Sequence, residues 1–269
     1  MFSGIDVSVH NGTIDWNKVS QHIDFAILRA GYGKGNVDSM FNRNADLCTK
    51  LGIPFGAYWF SYALNEEMAV KEADYCCDVI EKYKVLYPVC YDWEYDSDSY
   101  AQRNGINMSN SKRYNFARAF LKRIEERGYY AMNYTNIDYL NKGFKNLTKE
   151  FDTWLAQWGT EKPSVFCGIW QDNENAWIEG VGYVDSNISY NDYPKIISEM
   201  SNKKDKEIYT GIDDIVSKYG EKYIDCACEV LKDKYGSGEE RKNVLVSLGY
   251  DYNYVQDIVN YMVRNGLVN

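Results

Sequence analysis

Residues 2–9 (FSGIDVSV) alternate with a period of two, placing Ile5, Val7 and Val9 on one side and Gly4, Asp6 and Ser8 on the other. That alternation predicts a strand with one buried face. Four further apolar runs follow, at 24–31, 53–60, 87–93 and 129–134. The segments between them carry helical spacing. In 65–83, Ala69, Ala73, Cys76, Ile80 and Tyr83 recur at intervals of three and four. In 109–128, Phe116, Ala117, Phe120, Leu121 and Ile124 do the same, with Ser109 or Ser111 available as N-cap. Gly52 and Gly128 stand where helices end. Strand alternating with helix predicts parallel strands joined by right-handed crossovers, hence an α/β barrel or a doubly wound sheet. No GxGxxG follows the first strand, which removes the main support for a dinucleotide fold. After residue 143 the pattern changes. Residues 151–157, 165–171 and 181–188 read as strands whose connections are too short for full helices. A barrel that closes irregularly over 1–192 is expected.

A polar, Lys-rich stretch follows, and 193–211 is expected to be a linker. Residues 212–269 predict a small three-helix module. Its stripes are Ile224, Ala227, Cys228 and Leu231, then Val244, Leu245 and Leu248, then Val255, Ile258, Val259 and Met262. Turns are expected at 236–238 and 249–251.

Composition narrows the function. The 269 residues carry a net charge of −9. This is the wrong sign for a nucleic-acid partner or for adhesion to anionic lipid. No apolar run approaches the ~18 residues of a membrane span. The first Lys or Arg is Lys18, so no basic signal-peptide region opens the sequence. Synthesis in a reducing cytoplasm is the expectation; a trimmed signal would make the protein secreted. Seven cysteines occur without a CxxC pair, as expected for free thiols in a reducing compartment. The two histidines, His10 and His22, make a catalytic triad or a multi-His metal site a weak expectation. No metal and no cofactor are expected.

The chemistry concentrates in Asp92-Trp93-Glu94, at the end of the fourth strand. Residues i and i+2 of a strand face the same way, so the two carboxyls project side by side, with Cys90 behind them. Barrel active sites lie at this end of the strands. Two adjacent carboxyls do not both ionise cheaply, and one becomes a proton donor near neutral pH. Asp6, on the small-residue face of the first strand, and Asp185, in a final strand beside the first, would complete a cleft of four acids. Taken singly, such acids equally well cap helices or stay solvated. Among 25 Tyr, 10 Phe and 7 Trp, Tyr32, Phe60, Tyr62, Tyr134, Trp158 and Trp170 stand near strand ends and are candidates for binding sugar faces. Core filling accounts equally well for Phe60 and Trp170. His10 is expected to make local hydrogen bonds in a turn.

These residues resemble glycoside hydrolase family 25, the Chalaropsis-type lysozymes. The resemblance covers 2–190. It rests on Gly4-Ile5-Asp6-Val7-Ser8, Gly12-Thr13-Ile14-Asp15-Trp16, Asp24-Phe25-Ala26-Ile27, Gly56-Ala57-Tyr58, Asp92-Trp93-Glu94, Trp154-Leu155-Ala156-Gln157-Trp158, Trp170-Gln171 and Val184-Asp185-Ser186-Asn187. The sequence departs from the family at Trp59, where many members carry His. The resemblance implies an irregular (β/α)5(β)3 TIM-like barrel. It also implies that Glu94 is the acid, with Asp6, Asp92 and Asp185 as essential aspartates. The implied reaction is retaining cleavage of the β-1,4 bond between N-acetylmuramic acid and N-acetylglucosamine. In one variant the substrate's acetamido group attacks and Asp92 orients it. Residues 213–265 resemble a CW_7 cell-wall-binding repeat, through Tyr235-Gly236-Ser237-Gly238, Arg241, Gly249-Tyr250-Asp251-Tyr252 and Val255-Gln256-Asp257-Ile258. Arg241, Tyr250 and Tyr252 are its binding candidates. Tyr235, also a candidate, stands where Trp is usual. The implied partner is bacterial peptidoglycan and the implied role is that of a phage or prophage endolysin. The alternatives are a bacterial autolysin and a non-catalytic wall-binding protein. A chitinase-like enzyme would need Asp where Cys90 stands.

Overall fold

The computed structural model describes residues 1–201 and 220–264. The strands are β1 (Phe2–Val7), β2 (Phe25–Tyr32), β3 (Asn36–Val37), β4 (Phe55–Phe60), β5 (Val89–Asp92), β6 (Ala131–Asn136), β7 (Asp152–Ala156), β8 (Ile169–Ile178) and β9 (Gly182–Ser189). Eight of them form a ring in the order β1-β9-β8-β7-β6-β5-β4-β2, and pairing of β1 with β2 closes it. The two-residue β3 only extends β2 as a hairpin. Closure leaves no long free edge. All ring pairings are parallel except those of β9, which runs antiparallel to both β8 and β1. The strand–helix alternation over the first five units predicts parallel strands, and β1, β2, β4, β5 and β6 are parallel. β9 departs because only residues 179–181 separate it from β8, and a parallel crossover needs a dozen residues or more.

Helices α1 (Trp16–Val19), α2 (Phe41–Leu51), α3 (Glu66–Ile80), α4 (Tyr95–Arg103) and α5 (Asn110–Glu126) cover the outside. Gly52, left-handed at φ 70°, ends α2. Asn65 and Ser109 cap α3 and α5 by accepting the Met68 and Lys112 N–H groups. Helix α4 is not visible in the hydrophobic pattern, because Ser97 and Ala101 alone form its buried face. After β6 only short helical turns over 137–149 precede β7, as the pattern change near residue 143 predicts.

The pleat sorts side chains into two cores. Phe25, Ile27, Cys90, Met132, Trp154 and Ile169 fill the barrel. Ile5, Val7, Ala26, Leu28, Tyr91 and Trp93 face the helices. Gly4 is inward, where a Cβ would lie 2.5 Å from the Phe25 ring. Gly56 of β4 is equally confined, since a Cβ there would lie 2.4 Å from the Pro88 carbonyl oxygen. Backbone cannot rotate aside, so Gly56→Ala is expected to lower stability by ~1–3 kcal/mol. Chemical unfolding measures this, and an unchanged midpoint would refute the tight fit.

The expected linker needs correction at its start. Residues 193–201 are helical, and Tyr193 is fully buried against Tyr87 and Tyr130, with ring centroids 5.6 and 5.4 Å away. Its hydroxyl donates to Asp152 at 2.8 Å. Gly168 makes room, because a Cβ there would sit 1.9 Å from that hydroxyl. One aromatic plug therefore ties a Lys-rich segment to the N-terminal end of the barrel, and the first compact unit runs to residue 198. The rest of the linker, and 212–219 of the expected module, lie outside the described residues.

The second unit contains helices Glu221–Leu231, Gly238–Ser247 and Tyr252–Arg264. Cys226, Ala227, Val230, Leu245, Val255, Ile258, Val259 and Met262 form its core. Leu248 is exposed rather than buried, because the middle helix ends at Ser247 and Leu248 is its C-cap. All seven cysteines are free thiols and six are buried. No described helix is long and apolar enough to cross a membrane.

Candidate active site

Asp92 is the last residue of β5 and follows Cys90 into the barrel. Glu94 lies beyond the strand. Its backbone stays extended (φ −128°, ψ −174°), so the side-chain alternation continues for one more step before α4 begins. Trp93 turns outward between them and packs on Tyr91 and Phe116. Its indole N–H donates to Asp98 at 3.0 Å. Arg113 grips both Asp98 oxygens, at 3.0 and 2.6 Å, and the Tyr139 hydroxyl adds a bond of 2.9 Å. This network outside the barrel fixes the pivot that aims Glu94.

On the opposite wall, Asp6 of β1 pairs in register with Asp185 of β9. One Asp6 oxygen accepts from Gln171 and Asn187, each at 2.8 Å. Asp6, Asp92, Glu94 and Asp185 line one cleft of ≈ 330 Å³, together with Arg29, Tyr58, Phe60, Tyr134, Trp154 and Gln171. Asp92 Oδ1 is buried there without a hydrogen-bond partner.

The crowding raises every carboxyl. Burial, then the Asp185 charge, lifts Asp6 to about 7 against the opposing bonds from Asn187 and Gln171. Burial lifts Asp185 to about 6, with a contribution from Glu174. Burial and Asp185 raise Glu94, while the Tyr134 hydroxyl favours its charged form. Burial, Glu94 and Asp6 hold Asp92 well above the usual range, and Arg29 opposes them. Arg29 is itself paired with Asp38 at 2.7 Å, so it does not neutralise the cluster.

A native acid with a raised pKa binds more protons than the unfolded chain. Stability is then lost as pH rises between the two pKa values. Asp185→Asn removes that loss. The variant's melting temperature is expected to match the wild type near pH 4 and to exceed it by pH 8. A pH-independent difference would remove Asp185 from the crowded set.

Of the six aromatic candidates, Phe60 and Tyr134 line the cleft. Tyr32 and Tyr62 meet edge to face at 6.4 Å outside it, and the Tyr62 hydroxyl bonds Asp96. Trp158 is exposed and is not part of the lining. Trp170 requires correction. It is buried against Leu155 and Cys167 and donates to the Gln157 carbonyl at 2.8 Å. The pleat decides this, because Gln171, its neighbour, takes the inward position. The His10 backbone N–H donates to Ser8 Oγ at 3.2 Å, and the residue borders the cleft.

Sequence reasoning missed Arg29, Tyr58, Trp154 and Gln171 as cleft residues, and Asn187 as a partner of Asp6. The signal was phase: Arg29 continues Phe25 and Ile27, and Gln171 continues Ile169. Glu72 was also missed, although it interrupts the apolar stripe of α3. Burial lifts its carboxyl to about 7, and it accepts from Ser61 Oγ at 2.5 Å and from the Tyr62 N–H at 2.9 Å. The Ser61 N–H donates in turn to the Asp92 carbonyl at 2.8 Å, which fixes the turn beside Asp92.

In the second unit the four candidates serve its own packing. Arg241 donates to the Gly236 carbonyl at 2.8 Å. The Tyr235 hydroxyl bonds Glu229. Tyr250 packs edge-on to Tyr223, and Tyr252 is half-buried against the helical core.

A closed barrel with clustered acids at the C-terminal ends of its strands has the layout of a glycoside-cleaving enzyme. Residues 5–181 match glycosyl hydrolases family 25, and 225–263 match the CW_7 repeat. The chain belongs to glycosyl hydrolases family 25 and is a glycoside hydrolase of the lysozyme type. It is 28% identical over 221 residues to the lysozyme of Streptococcus phage Cp-7, covering 77% of this chain and 55% of that protein. The modular autolysin LytC of Streptococcus pneumoniae is 28% identical, with a TM-score of 0.61 over 70% of this chain and 46% of that one. A family 25 glycosyl hydrolase from Bacillus anthracis shares the fold at 23% identity, with a TM-score of 0.63 over 74% of this chain and 93% of that one.

Proposed function

We propose that this chain is a peptidoglycan hydrolase that cleaves the β-1,4 bond between N-acetylmuramic acid and N-acetylglucosamine with net retention. The observation that carries the reading is the convergence of Asp6, Asp92, Glu94 and Asp185 on one cleft. Glu94, its pKa raised, donates a proton to the glycosidic oxygen as the bond to the anomeric carbon breaks. The substrate's acetamido oxygen attacks that carbon, and Asp92, with its unpartnered Oδ1, accepts the acetamido N–H. Glu94 then takes a proton from the water that opens the cyclic intermediate, which restores the original configuration. Burial and the Asp185 charge favour the protonated form of Glu94.

The CW_7 repeat supports attachment to the wall, and similarity to the Cp-7 lysozyme supports a role in phage-driven lysis. LytC, at the same identity, supports the autolysin reading of the same activity. Incubation with purified bacterial walls tests the reaction. A fall in turbidity, with fragments ending in reducing N-acetylmuramic acid, is expected. Fragments ending in reducing N-acetylglucosamine, or none, would overturn the proposal.

A further inference from the structure

The β8–β9 hairpin extends past the catalytic acids, and it carries two large aromatic side chains in solvent. Trp177 is 69% exposed and Tyr183 is 65% exposed. They are cross-strand partners in register, with ring centroids 5.2 Å apart and planes at 75°. Their neighbours give the direction they face. Val184 and Ile178 turn to the other side and pack into the core beneath the helices. Tyr183 therefore shares its face of β9 with Asp185, a cleft residue, about 7 Å away at two residues' rise. The hairpin is anchored at its tip. The Asp15 N–H donates to the Gly180 carbonyl at 2.9 Å, and Lys18 pairs with Glu179 at 3.0 Å. Among the described residues no hydrogen bond engages the Trp177 indole N–H.

We propose that Trp177 and Tyr183 form a binding platform for a neutral N-acetylhexosamine unit of the glycan, beyond the linkage being cleaved. An indole face presents apolar surface to sugar C–H groups, while its N–H and the tyrosine hydroxyl serve the sugar's polar edge. Charge favours a neutral sugar, because Glu174 and Asp185 on the same hairpin repel an anionic partner. Continuity with the cleft face makes the occupant the strand of sugars already lying between the acids. The proposal rests on the peptidoglycan-hydrolase reading. It adds a preference for long glycan strands that the four acids alone do not provide.

The test uses the full chain and its Trp177→Ala, Tyr183→Ala and Trp177→Phe variants, acting on soluble glycan strands freed of peptide and graded by length. For long strands, Trp177→Ala is expected to raise KM about tenfold, the equivalent of ~1.4 kcal/mol, with kcat unchanged. Trp177→Phe is expected to recover most of this, and the shortest cleavable fragment should show no change. A second measurement needs no cleavage. Tetra-N-acetylglucosamine should quench the tryptophan fluorescence of the wild type and quench that of Trp177→Ala much less. Equal KM across lengths, or equal quenching in both proteins, would overturn the platform while leaving the hydrolase reading intact. Quenching without any cleavage by the wild type would sink the hydrolase reading instead.

Discussion

Glu94→Gln is expected to slow wall hydrolysis by ~10²–10⁴-fold with KM little changed. Glutamine keeps the size and most of the hydrogen bonding of the carboxyl but cannot deliver a proton to the leaving oxygen. The wild-type side chain has that proton available because burial and the Asp185 charge raise its pKa. The sign of the pH dependence follows. The acid form does the work, so the wild-type rate falls as pH rises through the raised value. Residual activity in Glu94→Gln should lack that alkaline limb. Steady-state rates on purified walls across a pH series measure both effects. A variant within tenfold of the wild type would take the acid role away from Glu94.

Asp92→Asn is expected to cost ~10²–10³-fold in kcat, the scale of losing one preorganised electrostatic contact to the transition state. Its Oδ1 is buried at the cleft without a protein partner, an arrangement that is unfavourable until a donor arrives. The asparagine has nearly the same shape and no charge, so positive charge developing at the sugar ring loses its counterpart. Thermal melting should show an intact fold, because among the described residues no hydrogen bond of the Asp92 side chain holds the barrel together. A loss below tenfold would mean that this carboxyl neither orients nor stabilises the reacting sugar.

The strand–helix rhythm was legible because burial on one face leaves a period in the sequence. Period two in 2–9 marked β1 and its small inward face. The 3.6-residue stripes marked α3 and α5. The Asp92–Glu94 pair was legible for the same reason, although Glu94 reaches the cleft from the first turn after the strand. Helix α4 left no trace, because a helix buried through Ser97 and Ala101 has no apolar stripe. Residues 193–201 were misread because composition averages over a segment, while a single tyrosine in a pocket fixed its place. Trp170 was misassigned because an aromatic near a strand end carries no mark of which face it takes. The phase of Gln171 settles that, and it is knowable once β7 and β9 are placed on either side.

By itself the sequence determined the alternation of the larger strands and helices and brought the four acids forward as candidates, since local periodicity and short motifs encode these within a few residues. Only the tertiary structure decided that β9 runs antiparallel and sets Asp185 opposite Asp6, that Gln171 and Asn187 hold Asp6 from strands more than 160 positions away, and that one desolvated cleft raises all four carboxyls together. Proximity across a closed barrel and exclusion of water are properties of the assembled sheet, and no local stretch of chain contains them.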